Sequence, residues 1–362
     1  VARGGDLSAF YYNPATLTQL PGLQVMAGGS IIMPNVEVVT YGRRTTVNTL
    51  KHNVFFPPHL YISYQALDRV WVGLGVYAPF GLGTQFTKTW SGRFSNIASF
   101  ISVIDVNPTV AVKITDWLSG GIGLDILTFS LKLQRDLPIP LIGIQGTTLK
   151  GDSVGVGFNL GFQVKPLDGL ALGVSYRSQV RQDVRGSAVF SPATNLNSSA
   201  SGTVILPDLI FTGISYQPIK SLSLEAGVVW THWSLLKKLD IKFDNPLGTL
   251  SERKNWHNTL RPQFGVEYRA LDWLALRFGY AYDQEPLPDE YADYLVPMVG
   301  GLHIFGFGAG FYWRAFTFDV SYNYVFSPDE RVNNSKSVGV LPSVFQNRYL
   351  NIVAFSVSYK FF

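Results

Sequence analysis

The sequence predicts an all-β protein: a transmembrane antiparallel β-barrel of about fourteen strands over residues 23–362, with a small N-terminal plug, residues 1–22, inside its lumen. Three observations lead there. Apolar and polar residues alternate strictly over stretches of about ten residues, and the pattern recurs along the chain. Charged residues make up 15% of the sequence, against roughly 25% in soluble domains, while aromatics reach 14%. A charge, Asn, Gln, Pro or Gly cluster interrupts every apolar stretch well before the roughly 20 residues that a membrane helix needs.

The alternation assigns faces. Leu260, Phe264, Val266 and Tyr268 share one phase, and Thr259, Arg261, Gln263, Glu267 and Arg269 the other. Leu274, Leu276, Phe278, Tyr280 and Tyr282 oppose Ala275, Arg277, Gly279, Ala281 and Asp283; Phe316, Phe318, Val320, Tyr322 and Tyr324 oppose Thr317, Asp319, Ser321 and Asn323. Val154, Val156, Phe158, Leu160 and Phe162 oppose Ser153, Gly155, Gly157, Asn159 and Gly161. A soluble β-sandwich also alternates, but its outer face carries many Lys and Glu. Here the polar face is Gly, Ser, Asn and isolated charges, and the apolar face gathers Tyr, Phe and Trp near segment ends, like the aromatic girdle of a lipid-facing band.

Short and long connections take turns, as in outer-membrane barrels with short periplasmic turns and long external loops. The short ones are Leu67-Asp68-Arg69, Thr115-Asp116-Trp117, Pro166 to Gly169, Pro218-Ile219-Lys220, Ala270-Leu271-Asp272 and Arg314-Ala315. The long ones run near Val39 to Phe56, Gln85 to Ala98, Arg135 to Asp152, Ser191 to Gly202, Asn245 to Trp256, Pro286 to Gly300 and Ser327 to Gln346. The first twenty residues do not alternate and are small, polar and Gly-containing, which suits a plug.

Composition narrows the chemistry. Without cysteine there is no disulfide, thiolate metal site or Cys nucleophile. A net charge of +4 with no Lys/Arg run argues against nucleic acid. His52, His59, His232, His257 and His303 lack metal-ligand spacing, so no metal or cofactor is expected. The start at Val1, without Met or a signal peptide, reads as a processed or trimmed form.

Several segments, in order, resemble the FadL-type outer-membrane transporters of long-chain fatty acids and other hydrophobic compounds. Gly4-Gly5-Asp6-Leu7-Ser8-Ala9 running into Asn13-Pro14-Ala15 is similar to that family's hatch. Gly75-Val76-Tyr77-Ala78-Pro79-Phe80-Gly81-Leu82-Gly83-Thr84 resembles its third strand, and Val106-Asn107-Pro108-Thr109-Val110-Ala111 its fourth. Leu172-Gly173-Val174-Ser175-Tyr176-Arg177-Ser178 resembles the seventh, Trp230-Thr231-His232-Trp233-Ser234 the ninth and Leu276-Arg277-Phe278-Gly279-Tyr280-Ala281 the eleventh. The resemblance implies a Gram-negative outer-membrane channel for passive uptake of long-chain fatty acids or similar apolar molecules. Its partners would be the solute, outer-membrane lipids and lipopolysaccharide, and it would be a monomer. It also implies about twenty further residues before this hatch, and a longer third external loop than Arg135 to Asp152. At the end of the chain, Tyr359 and Phe361 keep the apolar phase of Val353, Phe355 and Val357, and Phe362 is one extra.

The candidate site residues follow. Pro79 cannot donate to a ladder, and with Gly81 and Gly83 it reads as a kink or an ordinary strand end. In the family such a kink opens the wall sideways, which makes Ala78, Pro79, Phe80, Gly81 and Gly83 a candidate lateral gate. Asn13, Pro14 and Ala15 would sit against that kink, Asn13 bonding to its freed backbone groups, or form a plain tight turn. Arg177, Arg181 and Arg185 share one phase and would line the lumen, holding a carboxylate or pairing with neighbours such as Asp125, Glu225 or Glu267. Leu127, Phe129, Leu131 and Leu133 fall on the lumenal phase of Gly121, Gly123 and Asp125 and would make an apolar solute patch, unless a bulge returns them outward. The alternatives in function are uptake of monoaromatic hydrocarbons, a general porin, and an outer-membrane lipid-modifying enzyme with His232 or His303 facing lipid.

Overall fold

A strand with one apolar and one polar face suits a wall between lipid and water, and closing the sheet gives every strand two partners where no water can serve. A computed structural model of the chain describes residues 1–42, 45–51, 53–297 and 301–361. His52, Gly300 and Phe362, which figure in the sequence reading, lie outside the described residues.

The wall is one antiparallel sheet of fourteen strands, closed on itself. The first seven are Leu23–Tyr41, Pro58–Leu67, Val70–Gln85, Ala98–Lys113, Leu118–Ile139, Gly143–Leu167, and a seventh in two pieces, Leu170–Arg177 and Val180–Ser191. The eighth is also in two pieces, Ser198–Leu206 and Leu209–Ile219; then come Leu222–Thr231, Thr259–Leu271, Leu274–Asp283, Leu302–Trp313, Phe316–Ser327 and Ser343–Lys360. The first strand pairs with the fourteenth from Gln24 opposite Lys360 to Thr40 opposite Ser343, which closes the barrel. Among the described residues, no helix is long and apolar enough to cross a membrane; the crossings are strands.

The short turns fall where the sequence places them: Leu67 pairs with Val70 around Asp68-Arg69, and Trp313 with Phe316 around Arg314-Ala315. One long loop is corrected. Arg135 to Asp152 is strand, not loop: the fifth and sixth strands run for 22 and 25 residues, and their register is unbroken up to Ile139 opposite Gly143. Pro138, Pro140 and Gly143 imitate a loop in sequence. Above Gln134 the fifth strand no longer pairs with the fourth, and after Asp136, whose N donates to Arg93 O at 2.9 Å, its outer edge belongs to no ladder and tolerates proline.

The faces also follow the sequence. Val154, Val156, Phe158, Leu260, Phe264, Leu276, Phe278 and Phe318 are all exposed on the outer surface. Phe278 pairs with Val266 and Phe307 in the middle of the eleventh strand. Phe278→Arg is expected to lower folded stability in lipid by about 2–4 kcal/mol. Ser321→Arg, which points into the lumenal cavity, is expected to fold as the parent does. Urea titration of the two variants in bilayers checks this; equal midpoints would reverse the face assignment.

Candidate functional site: a break in the barrel wall and the N-terminal segment beside it

The third strand carries the break. It pairs with the second only from Leu67–Val70 up to Leu60–Val76. Its ladder with the fourth has one bulge: Tyr77 opposes Asp105 and Phe80 opposes Val103, so Ala78 and Pro79 together face Ile104. The extra residue turns Phe80 inward, where it packs with Leu209 and Phe211 of the eighth strand. Across the gap stand Pro57 and Pro58, so both rims carry residues with no N–H to donate. Above the gap, Phe55 exchanges backbone hydrogen bonds with Ile32 at 2.9 and 3.0 Å. The Phe55 ring lies where a Cβ on Gly83 would be, whereas Gly81 faces more open space. A lumenal cavity of about 930 Å³ reaches the gap at Pro57, Pro58, Ala78 and Pro79.

Residues 1–22 contain a short helix, Ala9–Tyr12, and a 3-10 turn, Pro14–Gln19. They lean to one side, against the third to sixth strands. Trp71 Nε1 donates to Leu20 O at 2.8 Å and Thr18 Oγ1 to Ser119 Oγ at 2.9 Å. Arg3 reaches the other side and pairs with Glu225 and Glu267. The placement of Asn13 departs from expectation. Its side chain is fully buried and donates to Phe162 O of the sixth strand at 3.0 Å, away from the kinked strand. Pro14 packs on Gly121, where a Cβ would stand 2.6 Å from the Pro14 carbonyl carbon, and Asn13 lies on Gly161. The two bare glycines let Asn13-Pro14-Ala15 approach this part of the wall. The residues that meet the kinked strand are Phe10, under Gly73 and Gly75, and Tyr11, edge-on to Tyr77.

The three arginines separate. Arg177 is buried and already engaged: Nη1 donates to Asp105 Oδ2 at 2.9 Å and to Asp125, and Nη2 to Tyr77 Oη at 2.8 Å and to the Phe10 carbonyl at 3.2 Å. Asn107 and Asn159 donate to the same Asp125 carboxylate at 2.6 and 2.7 Å. Arg177 thus ties the N-terminal segment to the wall and has little left for a ligand. Arg181 and Arg185 face outward, not into the lumen. The strand breaks at Ser178-Gln179, where the Ser178 hydroxyl accepts from Phe158 N at 2.9 Å, and the step of three positions from inward Arg177 to inward Val180 reverses the faces. Arg181 is 63% exposed and pairs with Asp183, while Val180, Gln182 and Val184 point inward.

Leu127 and Phe129 are buried inside the barrel with Val103, Val180, Val184 and Leu206, and Phe80, Leu131 and Val204 pack on that cluster. Above it, Leu131 and Leu133 line a narrow cavity of about 40 Å³ with Leu149, Val184, Val204 and Ile241. The apolar lining therefore begins beside the kink and continues toward the external end. Toward the external end Phe86 stacks on Trp90 with centroids 3.9 Å apart, and buried Tyr294 bonds to Ser343 at 2.6 Å. Beneath these loops Lys254 bonds to Asp293 at 2.6 Å and to Glu252 at 3.2 Å, and Glu252 also pairs with Arg135. Burial alone would push the Glu252 carboxyl up, but Arg135 and Lys254 hold it below its ordinary value. His232 bonds to Asp208 and His303 to Tyr280, each at 2.8 Å.

Sequence reasoning missed Pro57-Pro58, Tyr77 and Asp105, and it named Asp125 among the partners open to the arginines. Asp105 and Asp125 stood on lumenal phases, and that was the available signal.

The family model of the outer membrane transport proteins OMPP1, FadL and TodX matches residues 1–361. Outer membrane protein NMB0088 of Neisseria meningitidis, a protein of putative assignment, is 25% identical over 99% of this chain and 90% of its own length. A long-chain fatty acid transport protein of Escherichia coli is 23% identical over 79% of this chain and 73% of its own. Among solved structures, a Pseudomonas aeruginosa FadL homologue superposes with a TM-score of 0.83 at 21% identity, covering 99% of this chain and 95% of its own. The Pseudomonas putida toluene transporter TodX superposes with a TM-score of 0.80 at 19% identity, covering 99% and 94%.

Proposed function

The chain belongs to the OMPP1/FadL/TodX family of outer membrane transport proteins, and from that premise we propose that it carries hydrophobic small molecules inward and releases them sideways into the bilayer. Long-chain fatty acids are the first solute class. The observation that supports this reading most is the gap beside Ala78-Pro79, where the lumenal cavity meets the wall. An apolar solute that left axially would re-expose its surface to periplasmic water at roughly 25 cal/mol per Å². Leaving through the gap avoids that exposure. Residues 1–22 act as the plug that turns the path aside, and Asn13-Pro14-Ala15 anchor it rather than gate it. Leu127, Phe129, Leu131 and Leu133 form the apolar side of the path. The barrel works as a monomer, because each protomer contains the whole route.

Uptake of monoaromatic hydrocarbons by the same mechanism is the second reading, and Arg177 favours it. Its ion pairs leave it unavailable to a carboxylate, while Tyr11, Tyr12 and Phe211 pack edge-on in the lumen as an aromatic lining. A lipid-modifying enzyme draws no support from His232 or His303, whose hydrogen bonds go to an aspartate and a tyrosine. The test is uptake of labelled oleate and labelled toluene by cells that lack their own transporters. Expression of this chain is expected to raise oleate uptake at least tenfold over the empty vector. Faster uptake of toluene alone would move the assignment to the hydrocarbon reading, and no gain for either solute would overturn both.

A further inference from the structure

Beyond the last pair of the sixth strand with the seventh, Gly146 opposite Ser191, the fifth and sixth strands end in a hairpin tip that is apolar. Residues 137–149 contain no charged side chain. At the turn Leu141 adopts a φ of 66°, unfavourable for leucine, and its side chain is fully exposed at 107%; Ile142 and Ile144 are 46% and 52% exposed. This apolar tip is not an extension of the lipid belt. On the outer face of the sixth strand Ile144 is followed by Gly146, Thr148, Lys150 and Asp152 before the belt resumes at Val154. That polar stretch, 146–153, is roughly 26 Å of strand at about 3.3 Å per residue. On the inner face Ile139 and Leu149 pack in one cluster with Leu137 and Leu133, beside the Arg135–Glu252 pair, and this cluster leads into the cavity above Phe129.

We propose that this tip docks on the surface of an external amphiphile assembly, a micelle or vesicle bilayer, and draws solute from it onto the inner apolar track. The hand-over of solute rests on the transport reading above; the docking does not. The absence of charge rules out recognition by ion pairing and matches a neutral apolar surface. The shape points the same way. A stable protein interface buries about 800 Å² on each partner, whereas the tip of one two-stranded hairpin offers a few projecting side chains. A few apolar side chains on a convex turn suit shallow, reversible insertion among acyl chains. The polar stretch below the tip holds it too far out to insert in the protein's own bilayer.

The experiment uses the full chain in nanodiscs and the variant Leu141→Asp with Ile144→Asp. Neither side chain belongs to the buried clusters, and heat-dependent migration in SDS checks that the variant barrel is folded. Flotation with dioleoylphosphatidylcholine vesicles is expected to carry the parent upward and at least tenfold less of the variant. Uptake of labelled oleate presented in such vesicles is expected to fall at least fivefold in the variant, with uptake of albumin-buffered oleate unchanged. Equal flotation of parent and variant would overturn the proposal. So would self-association of the parent in nanodiscs that the variant loses, which would assign the tip to a second copy. Flotation without oleate uptake by the parent would uphold the docking and overturn the transport reading.

Discussion

Deleting Pro79 is expected to abolish solute uptake while leaving a folded barrel in the membrane. The third strand spends two residues, Ala78 and Pro79, opposite Ile104 alone. Removing one makes Tyr77 and Phe80 consecutive inward positions and restores a regular ladder with Asp105 and Val103. Both residues already point inward, so the faces on either side of the deletion are kept. The straightened strand regains a backbone donor in place of proline and approaches the rim at Pro57-Pro58. Uptake of labelled oleate is expected to fall to the level of the empty vector, with surface protein and heat-dependent migration in SDS unchanged. Uptake equal to the parent would show that the solute takes another route, most simply an axial one past the plug.

Arg177→Met is expected to have the largest effect on the N-terminal segment. It leaves Asp105 and Asp125 facing each other in a buried site without their shared cation, and it removes the donor to the Phe10 carbonyl. Breaking a buried ion pair by removing one partner costs about 3–5 kcal/mol. Here the strain is relieved when residues 1–22 move away and admit water. Planar-bilayer recordings are therefore expected to show ion conductance that the parent lacks, and residues 1–22 are expected to become accessible to protease. Adding Asp105→Asn and Asp125→Asn to Arg177→Met removes the stranded charge and is expected to restore most of the closed behaviour. If the triple variant conducts as freely as the single one, the charge imbalance is not what holds the plug.

The wall was legible in the sequence because lipid on one side and lumen on the other impose a period of two that few other environments sustain. Phe278 against Arg277, or Val156 against Gly157, is enough to assign a strand and both its faces. The errors came where one residue was gained or lost. Across Ser178-Gln179 the phase reverses, so the ladder through Arg177, Arg181 and Arg185 held only for its first member. Pro138, Pro140 and Gly143 imitate a loop because propensity does not record that the fifth strand is a free edge at that height. Of the partners of Arg177, Asp125 was within reach of the sequence and Asp105 was not: Asp105 stands 72 residues away, and three successive strand pairings, from the fourth strand to the seventh, bring it there. The resemblance placed Asn13 near the kinked strand; the bare glycines at Gly121 and Gly161 seat it elsewhere.

The prolines at the gap have a consequence for assembly. A closed barrel has no strand edge, and that protects it from pairing with other chains. A gap between the second and third strands reintroduces two short edges, each a possible template for an unfolded neighbour on its way into the same crowded membrane. Pro57 and Pro58 on one rim and Pro79 on the other carry no N–H, so an incoming strand finds too few donors there to zip into the barrel. The residues that keep the wall from sealing on itself also keep it from being sealed by a stranger.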